Sequence, residues 1–348
     1  MAYRMEAVNL KKDRTEVLNF WQKNSSYWPA GKLSWFYENN IYGNADCWVV
    51  KEENSNEVVA TTSIFPKRMF IRGLPLLAGI TGGFAVDPKH RILGPAIQLQ
   101  KEAVAKCEND HYDFLYGYPN RSSLPVQKRV GFEILGGSVR MVKVFRFRHY
   151  IQQILRSSVL AKIACFPIEL SARVFGAEYR QRVPSDLKGE VIDEFDSRFD
   201  DLYRRSTGNF CLIGERSSEF LRWRFAMCPY KDYRIFTLSR KQDNSLIGYV
   251  IYDVELNNAR IVDLLALDNN SMLDNVINAY CRLLRKSGLQ SVSVTYLGNN
   301  VVLEKFKKFG FRKREDERNI VVYVKKNSRL SRFITDINNW YFLEGDND

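Results

Sequence analysis

Alternating and helix-spaced apolar positions follow one another in the same order twice along this chain of 348 residues. In the first half, alternation predicts a strand at residues 3–8, and apolar residues three and four apart predict a helix at 13–23. Asp13 with Glu16 three residues on would enter that helix as a capping box. After LSWFYENNIYG around Trp35 come a strand at 46–51, a polar turn at 52–57 and a strand at 58–65. Segments 69–71 and 76–78 flank the Arg72-Gly73 turn, which predicts a hairpin running into a strand at Gly82. The β-prone Phe84, Ala85 and Val86 end that strand, and Asp87-Pro88 breaks it. Ala96, Ile97, Leu99, Ala103 and Val104 then predict a helix over 96–107. Residues 111–119 read as a strand with Tyr112, Phe114, Tyr116 and Tyr118 on one face. A short helix at 120–130 stops at Gly131-Phe132, and strand continues to 147.

The second half repeats this order. KLSWFYENNIYGNADCWVV aligns with EFLRWRFAMCPYKDYRIFT at an offset of 188 residues (Trp35 to Trp223), which holds to Val58-Val59-Ala60 against Leu246-Ile247-Gly248. YPNRSSLPVQKRVGF aligns with LGNNVVLEKFKKFGF at an offset of 179 (Gly131 to Gly310). A period of this size means a duplicated domain rather than a solenoid. The expected units are 1–147, a linker region at 148–185, a second domain at 186–328 and a tail at 329–348. In the linker, Ile151, Ile154, Leu155, Val159 and Ile163 recur at helical spacing, either as a linker helix packed on a domain or as a helix touching a membrane surface. The tail, NNWYFLEGDND, reads as a docked strap or a loose end.

Composition narrows the setting. Hydrophobic residues make up 45% and charged residues 26%, the balance of a soluble globular protein. The six cysteines are scattered without a CxxC pair, which argues against a zinc site or a disulfide framework and for a reducing compartment. Neither a signal-type apolar segment nor a run of roughly 18 apolar residues appears, so a cytoplasmic protein is expected. The net charge of +12 attracts anionic partners: coenzyme A, nucleotide-sugars, anionic glycans, RNA or acidic lipid.

The chemistry concentrates in GGFAVDPKHRILGPAIQLQKEAVA, a strand that turns into a helix. Such a turn aims backbone N–H groups and a positive helix end at one point, which favours phosphate or pyrophosphate. Gly94 lets the backbone approach the ligand, Ala96 keeps the helix start thin and Arg91 adds a cation. The segment is neither a Walker loop nor a G-x-G-x-x-G fingerprint. FAVDPKHRILGPA followed by YGYPNRSSLPVQKRVGF resembles the acyl-CoA-binding core of the GNAT acyltransferase superfamily. There an Arg/Gln-x-x-Gly-x-Gly/Ala loop holds pyrophosphate, and an Asn-x-x-Ala run with a closing Gly-Phe follows the second core strand. With WFYENNIYG, FLRWRF and the aromatic tail, the whole chain resembles tandem-GNAT proteins found with bacterial surface-polysaccharide genes.

The resemblance implies an α/β (α+β) architecture of two tandem GNAT-like domains, each a mixed twisted sheet flanked by helices, the second degenerate. Acetyl-CoA or another acyl-CoA would bind the first half through Phe84, Ala85, Val86, Arg91, Ile92, Leu93, Gly94, Ala96, Asn120 and Ser123. LDNNSMLDNVINAY stands at the corresponding place of the second half, with Asp268 and Asp274 to repel pyrophosphate. Glu38 and Asn40 fall where the acceptor is shaped in the family. Many members place a general-acid tyrosine seven residues after the asparagine; Gln127 stands there, and Phe306 in the second copy. Tyr118 and Tyr116 are therefore the candidate catalytic residues, and His90, just before Arg91, either touches the phosphate or is merely solvated.

The implied activity is direct N-acyl transfer, and among acyl groups acetyl, to an amine-bearing small molecule, amino-sugar or glycan precursor. No metal and no DNA partner are expected. Two alternatives stay open: a FemABX-like transferase drawing on aminoacyl-tRNA, and a non-catalytic module binding acyl-CoA or a glycan.

Overall fold

The computed structural model describes residues 2–24, 28–91, 93–146, 176–314 and 318–347. Residues 148–175 of the expected linker helix, and Ile92, lie outside the described residues. The first half contains β1 (Tyr3–Ala7), α1 (Arg14–Asn24), β2 (Asp46–Glu52), β3 (Val58–Ile71), β4 (Leu74–Val86), α2 (Leu93–Glu108), β5 (Phe114–Gly117), α3 (Leu124–Arg129), β6 (Glu133–Gly137) and β7 (Val139–Val144). Its backbone is organised by the β3–β4 hairpin, longer than the sequence pattern predicts and unbroken from Val58 to Val86 apart from its turn. Arg72 (φ 49°) and Gly73 (φ 83°) fill the two-residue turn, the left-handed pair that matches the natural twist of a hairpin.

The second half contains β8 (Leu187–Ile192), α4 (Ser197–Ser206), β9 (Leu212–Gly214), β10 (Arg234–Arg240), β11 (Leu246–Glu255), β12 (Asn258–Ala266), α5 (Ser271–Lys286), β13 (Ser291–Gly298), α6 (Asn300–Lys308), β14 (Arg312–Arg314), β15 (Asn319–Val324) and β16 (Trp340–Leu343). Even the unusual π-helical turns recur, at Leu33–Glu38 and Arg222–Ala226. Gly131 (φ 102°) and Gly310 (φ 83°) close the equivalent helices α3 and α6 with the same left-handed residue. The equivalent tryptophans meet: Trp35 and Trp223 have ring centroids 5.5 Å apart, and the Trp35 indole donates to the Trp223 carbonyl at 2.8 Å. They are buried packing residues at the junction of the halves.

The described strands form one sheet, joined across the halves by β9, which pairs antiparallel with β3 and parallel with β16, and the halves exchange their last strands. β15 lies between β5 and β6 of the first half, antiparallel to both. Its counterpart β7 lies between β13 and β14 of the second half. Two strands thus cross the boundaries expected at 147 and 186.

Local expectations shift as well. Asp13 accepts from the Asn9 N–H at 2.9 Å, and Glu16 is drawn to Lys51 at 2.8 Å, so no capping box forms. Helix α2 starts at Leu93 rather than at 96. The strand expected at 111–119 is only Phe114–Gly117. Tyr112 therefore does not share a face with Phe114 and Tyr116: it packs beside Val59 and Leu99, and its hydroxyl donates to Asp46 at 2.8 Å. No helix among the described residues is long and apolar enough to cross a membrane.

Candidate functional site

In each half a parallel strand pair begins and then splays. In the first, β4 pairs with β5 at Ala78–Phe114, Gly79–Leu115 and Ile80–Tyr116, and the pairing ends there. Beyond it β4 runs on to Val86 against β3 alone, with one extra residue on β4 between the Ser63–Gly82 and Thr61–Ala85 pairs. Gly83 (φ 58°) carries this bulge, and a Cβ there would stand 2.7 Å from the Tyr37 hydroxyl and 2.8 Å from the Ser63 hydroxyl. The bulge turns the β4 edge into the opening. At the apex the Thr81 hydroxyl donates to the Tyr116 carbonyl at 3.2 Å; Gly117 permits it, since a Cβ there would meet that hydroxyl at 2.2 Å.

The resulting cleft has a volume of about 170 Å³ and a mostly polar wall that includes Thr62, Thr81, Gln100, Asn120, Ser123 and Gln127. Gln100 donates to Thr62 at 3.0 Å and Gln127 to Thr81 at 3.4 Å. The carbonyl oxygens of both glutamines are buried without a partner, an expensive arrangement unless a donor enters the cleft. Gln100 was accessible to sequence reasoning, since it occupies the buried stripe of α2 between Ala96 and Ala103. Thr62 and Thr81, inside strands, carry no such signal.

The structure gathers several predicted cofactor residues at this cleft. Phe84 lines it, with Asn120 and Ser123 on the opposite wall. Asn120 also organises its own loop, accepting from the Ser122 and Ser123 N–H groups at 2.9 Å each. Ala85 and Val86 continue the β4 edge, their side chains packed against apolar cores. Arg91 is exposed just before α2; of Leu93 only the backbone is described. Gly94 and Pro95 fall in the first turn of α2, where a missing N–H costs nothing. Nothing lies within 4 Å of a Cβ built on Gly94, and its φ is not left-handed, so neither packing nor backbone demands glycine there. Ala96 is buried. His90 faces Tyr3, with Nδ1 3.1 Å from the hydroxyl.

The other candidates separate. Tyr118 lines the cleft and also a second cavity of about 240 Å³ at the seam between the halves. Its hydroxyl is paired with Ser138, and burial, reinforced by Asp346 and Glu344, raises its pKa well above that of a free tyrosine. It is a neutral donor across the physiological range. Tyr116 is fully buried, donates to the Asp346 carbonyl at 2.7 Å and lines neither cavity, so the structure removes it from the site. Glu38 is paired with Arg14, away from both cavities. Asn40 donates to the Pro66 carbonyl at 3.1 Å and faces a narrow gap between the halves beside Lys67 and Arg224. Neither Glu38 nor Asn40 is brought together with Tyr118.

The second half splays too, but its wedge is filled. β12 and β13 pair from Asn258–Ser291 to Ile261–Val294. Beyond that point β16 takes over the β13 edge at Tyr296–Leu343, Leu297–Phe342 and Gly298–Tyr341. Tyr341 closes the gap by donating to the Leu264 carbonyl at 2.8 Å. Gly298 is required there, for a Cβ would stand 1.9 Å from the Trp340 carbonyl oxygen.

Residues 11–135 match the family model of the acetyltransferase (GNAT) domain. No curated protein matches the sequence. Among solved structures, the chain is similar to a conserved protein of unknown function from Enterococcus faecalis V583, described as a probable N-acyltransferase. The TM-score is 0.65 at 13% identity, over 93% of this chain and 72% of that one. A GCN5-related N-acetyltransferase from Anabaena variabilis gives 0.63 at 12%, over 93% and 73%. Saccharomyces cerevisiae N-myristoyltransferase with bound myristoyl-CoA gives 0.56 at 9%, over 99% of this chain and 83% of that one. With its two equivalent halves and one open wedge, the chain shares the fold of these structures over nearly its whole length, and its first half carries the match to the GNAT domain.

Proposed function

We propose that the protein is an acyl-CoA-dependent N-acyltransferase, using acetyl-CoA and acting by direct transfer on an amine-bearing small molecule such as an amino-sugar or glycan precursor. The observation that carries this reading is the open wedge between β4 and β5, beside a free helix start at Gly94. The pantetheine arm of coenzyme A supplies amide N–H groups, and the unpartnered oxygens of Gln100 and Gln127 are suited to accept them. The pyrophosphate would lie over Gly94, near Arg91 and the positive end of α2. The polar wall favours a short acyl group over a long apolar chain.

Acyl-CoA supplies the activated thioester. The amine nitrogen forms a bond to its carbonyl carbon and gives up one N–H proton, the carbon–sulfur bond breaks, and the departing sulfur takes up one proton, so no proton is gained or lost overall. Tyr118 is the ionisable residue at the cleft wall, protonated at neutral pH and placed to donate to the developing negative charge. A second reading, binding without turnover, is favoured by Gln127 standing where the family often has its tyrosine acid.

Calorimetric titration of acetyl-CoA into the wild type and the Gly94→Trp variant tests the proposal. Open space at Gly94 lets the indole fold outward, so the variant should melt like the wild type yet lose binding. Absence of binding to a folded wild type would overturn the coenzyme A reading. Binding without release of thiol across an amine panel would favour the second reading.

A further inference from the structure

The narrow gap between the halves beside Asn40 is walled by hydrogen-bond donors that lack acceptors. Its volume, about 10 Å³, is room for one water-sized body. Lys67 lines it from β3 of the first half, and Trp223 and Arg224 line it from the π-helical turn of the second. Lys67 is 3% exposed and Trp223 4%. The Trp223 indole N–H is buried without a hydrogen-bond partner, whereas the equivalent Trp35 donates to the Trp223 carbonyl. The Lys67 ammonium stands 3.0 Å from the Asp346 carboxylate and 4.1 Å from the Phe220 ring centroid, yet it makes no hydrogen bond of good geometry. Leaving such groups unpaired away from water is costly.

Arg224 adds a buried guanidinium whose partners are not carboxylates. It donates to the Gly345 carbonyl at 3.2 Å and the Asn347 carbonyl at 2.9 Å, and it lies against the rings of Trp35, Phe36 and Phe225. It forms no ion pair among the described residues. A cation taken out of water ordinarily keeps an anion beside it. The oxygens around the gap are meanwhile engaged. The Asn40 side-chain oxygen accepts from the Tyr42 N–H at 3.0 Å, and the Asn40 amide nitrogen donates to the Pro66 carbonyl at 3.1 Å. The Gly345 and Asn347 carbonyls receive Arg224, and the Tyr42 hydroxyl stands beside the Glu215 carboxylate. A water here would accept from Lys67 and Trp223 but would still have two O–H groups to place; a halide needs donors alone.

We propose that the gap binds a chloride ion, held by the Lys67 ammonium and the Trp223 N–H with the Arg224 guanidinium beside it. The ion joins three segments: β3 of the first half, the π-helical turn of the second, and the chain after β16 that Arg224 holds by two carbonyls. The site is separate from the acyl-CoA cleft, which none of these three residues lines, and it stands independently of the acyltransferase reading.

Two measurements on the full chain test this. Crystals grown with sodium bromide in place of chloride are measured at the bromine absorption edge. An anomalous peak should stand in the gap, within hydrogen-bond reach of Lys67 Nζ and Trp223 Nε1. Melting temperatures are recorded against rising sodium chloride, with sodium methanesulfonate holding the ionic strength constant so that general screening is separated from binding. The wild type should gain stability with chloride and level off. The apparent dissociation constant should weaken about ten-fold or more in Trp223→Phe, which keeps a ring and loses the N–H, and in Lys67→Met. Trp35→Phe loses an indole N–H that already has an acceptor, so it should keep the chloride dependence. A gap holding water with no bromide peak, or a wild type indifferent to chloride at constant ionic strength, would overturn the inference. So would a chloride dependence that survives Trp223→Phe at full strength, or one lost equally in Trp35→Phe. The bromide result on the wild type decides the matter even where a variant fails to fold.

Discussion

Four ionised groups are buried where the halves and the last described segment meet, and their balance can be tested by a double-mutant cycle. Lys67 on β3, Arg216 after β9, Asp263 on β12 and Asp346 after β16 are each no more than 3% exposed. Lys67 lies 3.0 Å from Asp346; Arg216 donates to Asp346 at 2.9 Å and to Asp263 at 3.0 Å. Two cations thus face two anions in a site closed to water. Burial pushes the Lys67 ammonium down to about 8 even with Asp346 beside it. Burial would raise Asp346, but Arg216 and Lys67 outweigh it and hold the carboxyl down at about 2. Burial wins at Asp263, whose pKa is raised despite Arg216.

Lys67→Met leaves one buried negative charge uncompensated and Asp263→Asn one positive charge, so each should cost about 3–5 kcal/mol. The double variant is neutral again and should cost no more than either single change, so the loss should fall short of the sum of the singles by at least about 3–5 kcal/mol. Urea unfolding followed by tryptophan fluorescence reads this as midpoints at constant slope. A double variant whose loss equals the sum of the singles would refute the charge-balance reasoning. The sign with pH is a further check. Because the folded pKa of Lys67 lies below its usual 10.5, the unfolded chain holds more protons between pH 8 and 10.5. Stability of the wild type relative to Lys67→Met should therefore rise with pH across that window, and a fall would contradict the assignment.

Three further substitutions bear on the cleft. Gly117→Ala places a Cβ 2.2 Å from the Thr81 hydroxyl and 2.9 Å from its carbonyl oxygen, so it should cost about 1–3 kcal/mol in a thermal melt and weaken acetyl-CoA at least ten-fold. Gln127→Leu removes a buried oxygen that has no partner, so stability should hold or gain about 1 kcal/mol, while acetyl-CoA affinity measured by calorimetry falls about 5–30-fold; tighter binding would deny that the oxygen accepts from the ligand. Tyr118→Phe should leave acetyl-CoA binding unchanged and lower kcat about 100-fold or more in a thiol-release assay, and an unchanged kcat would exclude the hydroxyl from proton transfer.

The periodicity carried the hairpin, the helices and the duplication, because each rests on local spacing. The exchange of β7 and β15 left no trace, and there is a physical reason. The two strands are equivalent copies, and trading them exchanges neighbours without changing which residues of either strand face the core. Trp340, Tyr341, Phe342 and Leu343 announce a buried strand, but nothing local says that its place is the wedge of the second half. Tyr116 and Tyr118 were indistinguishable by alternation, and what separates them is the carbonyl of Asp346, 230 residues away in sequence from Tyr116.

The two wedges differ because of β16. A splayed strand pair exposes backbone groups that must find partners. In the second half β16 supplies them, and the stretch corresponding to the phosphate loop is spent on the protein's own charges, Asp274 being paired with Lys305 at 3.4 Å and with Lys308. Past β16 the chain reaches the first half, where Asp346 receives the Tyr116 hydroxyl and the Lys67 ammonium, and Phe342 packs 5.8 Å from the Tyr118 ring. The segment at 340–347 therefore closes one wedge and buttresses the strand that forms the floor of the other. The filled wedge in the second copy and the bracing of the strand beneath the open one both come from this one segment. A ligand entering the first wedge meets strands already held by the second.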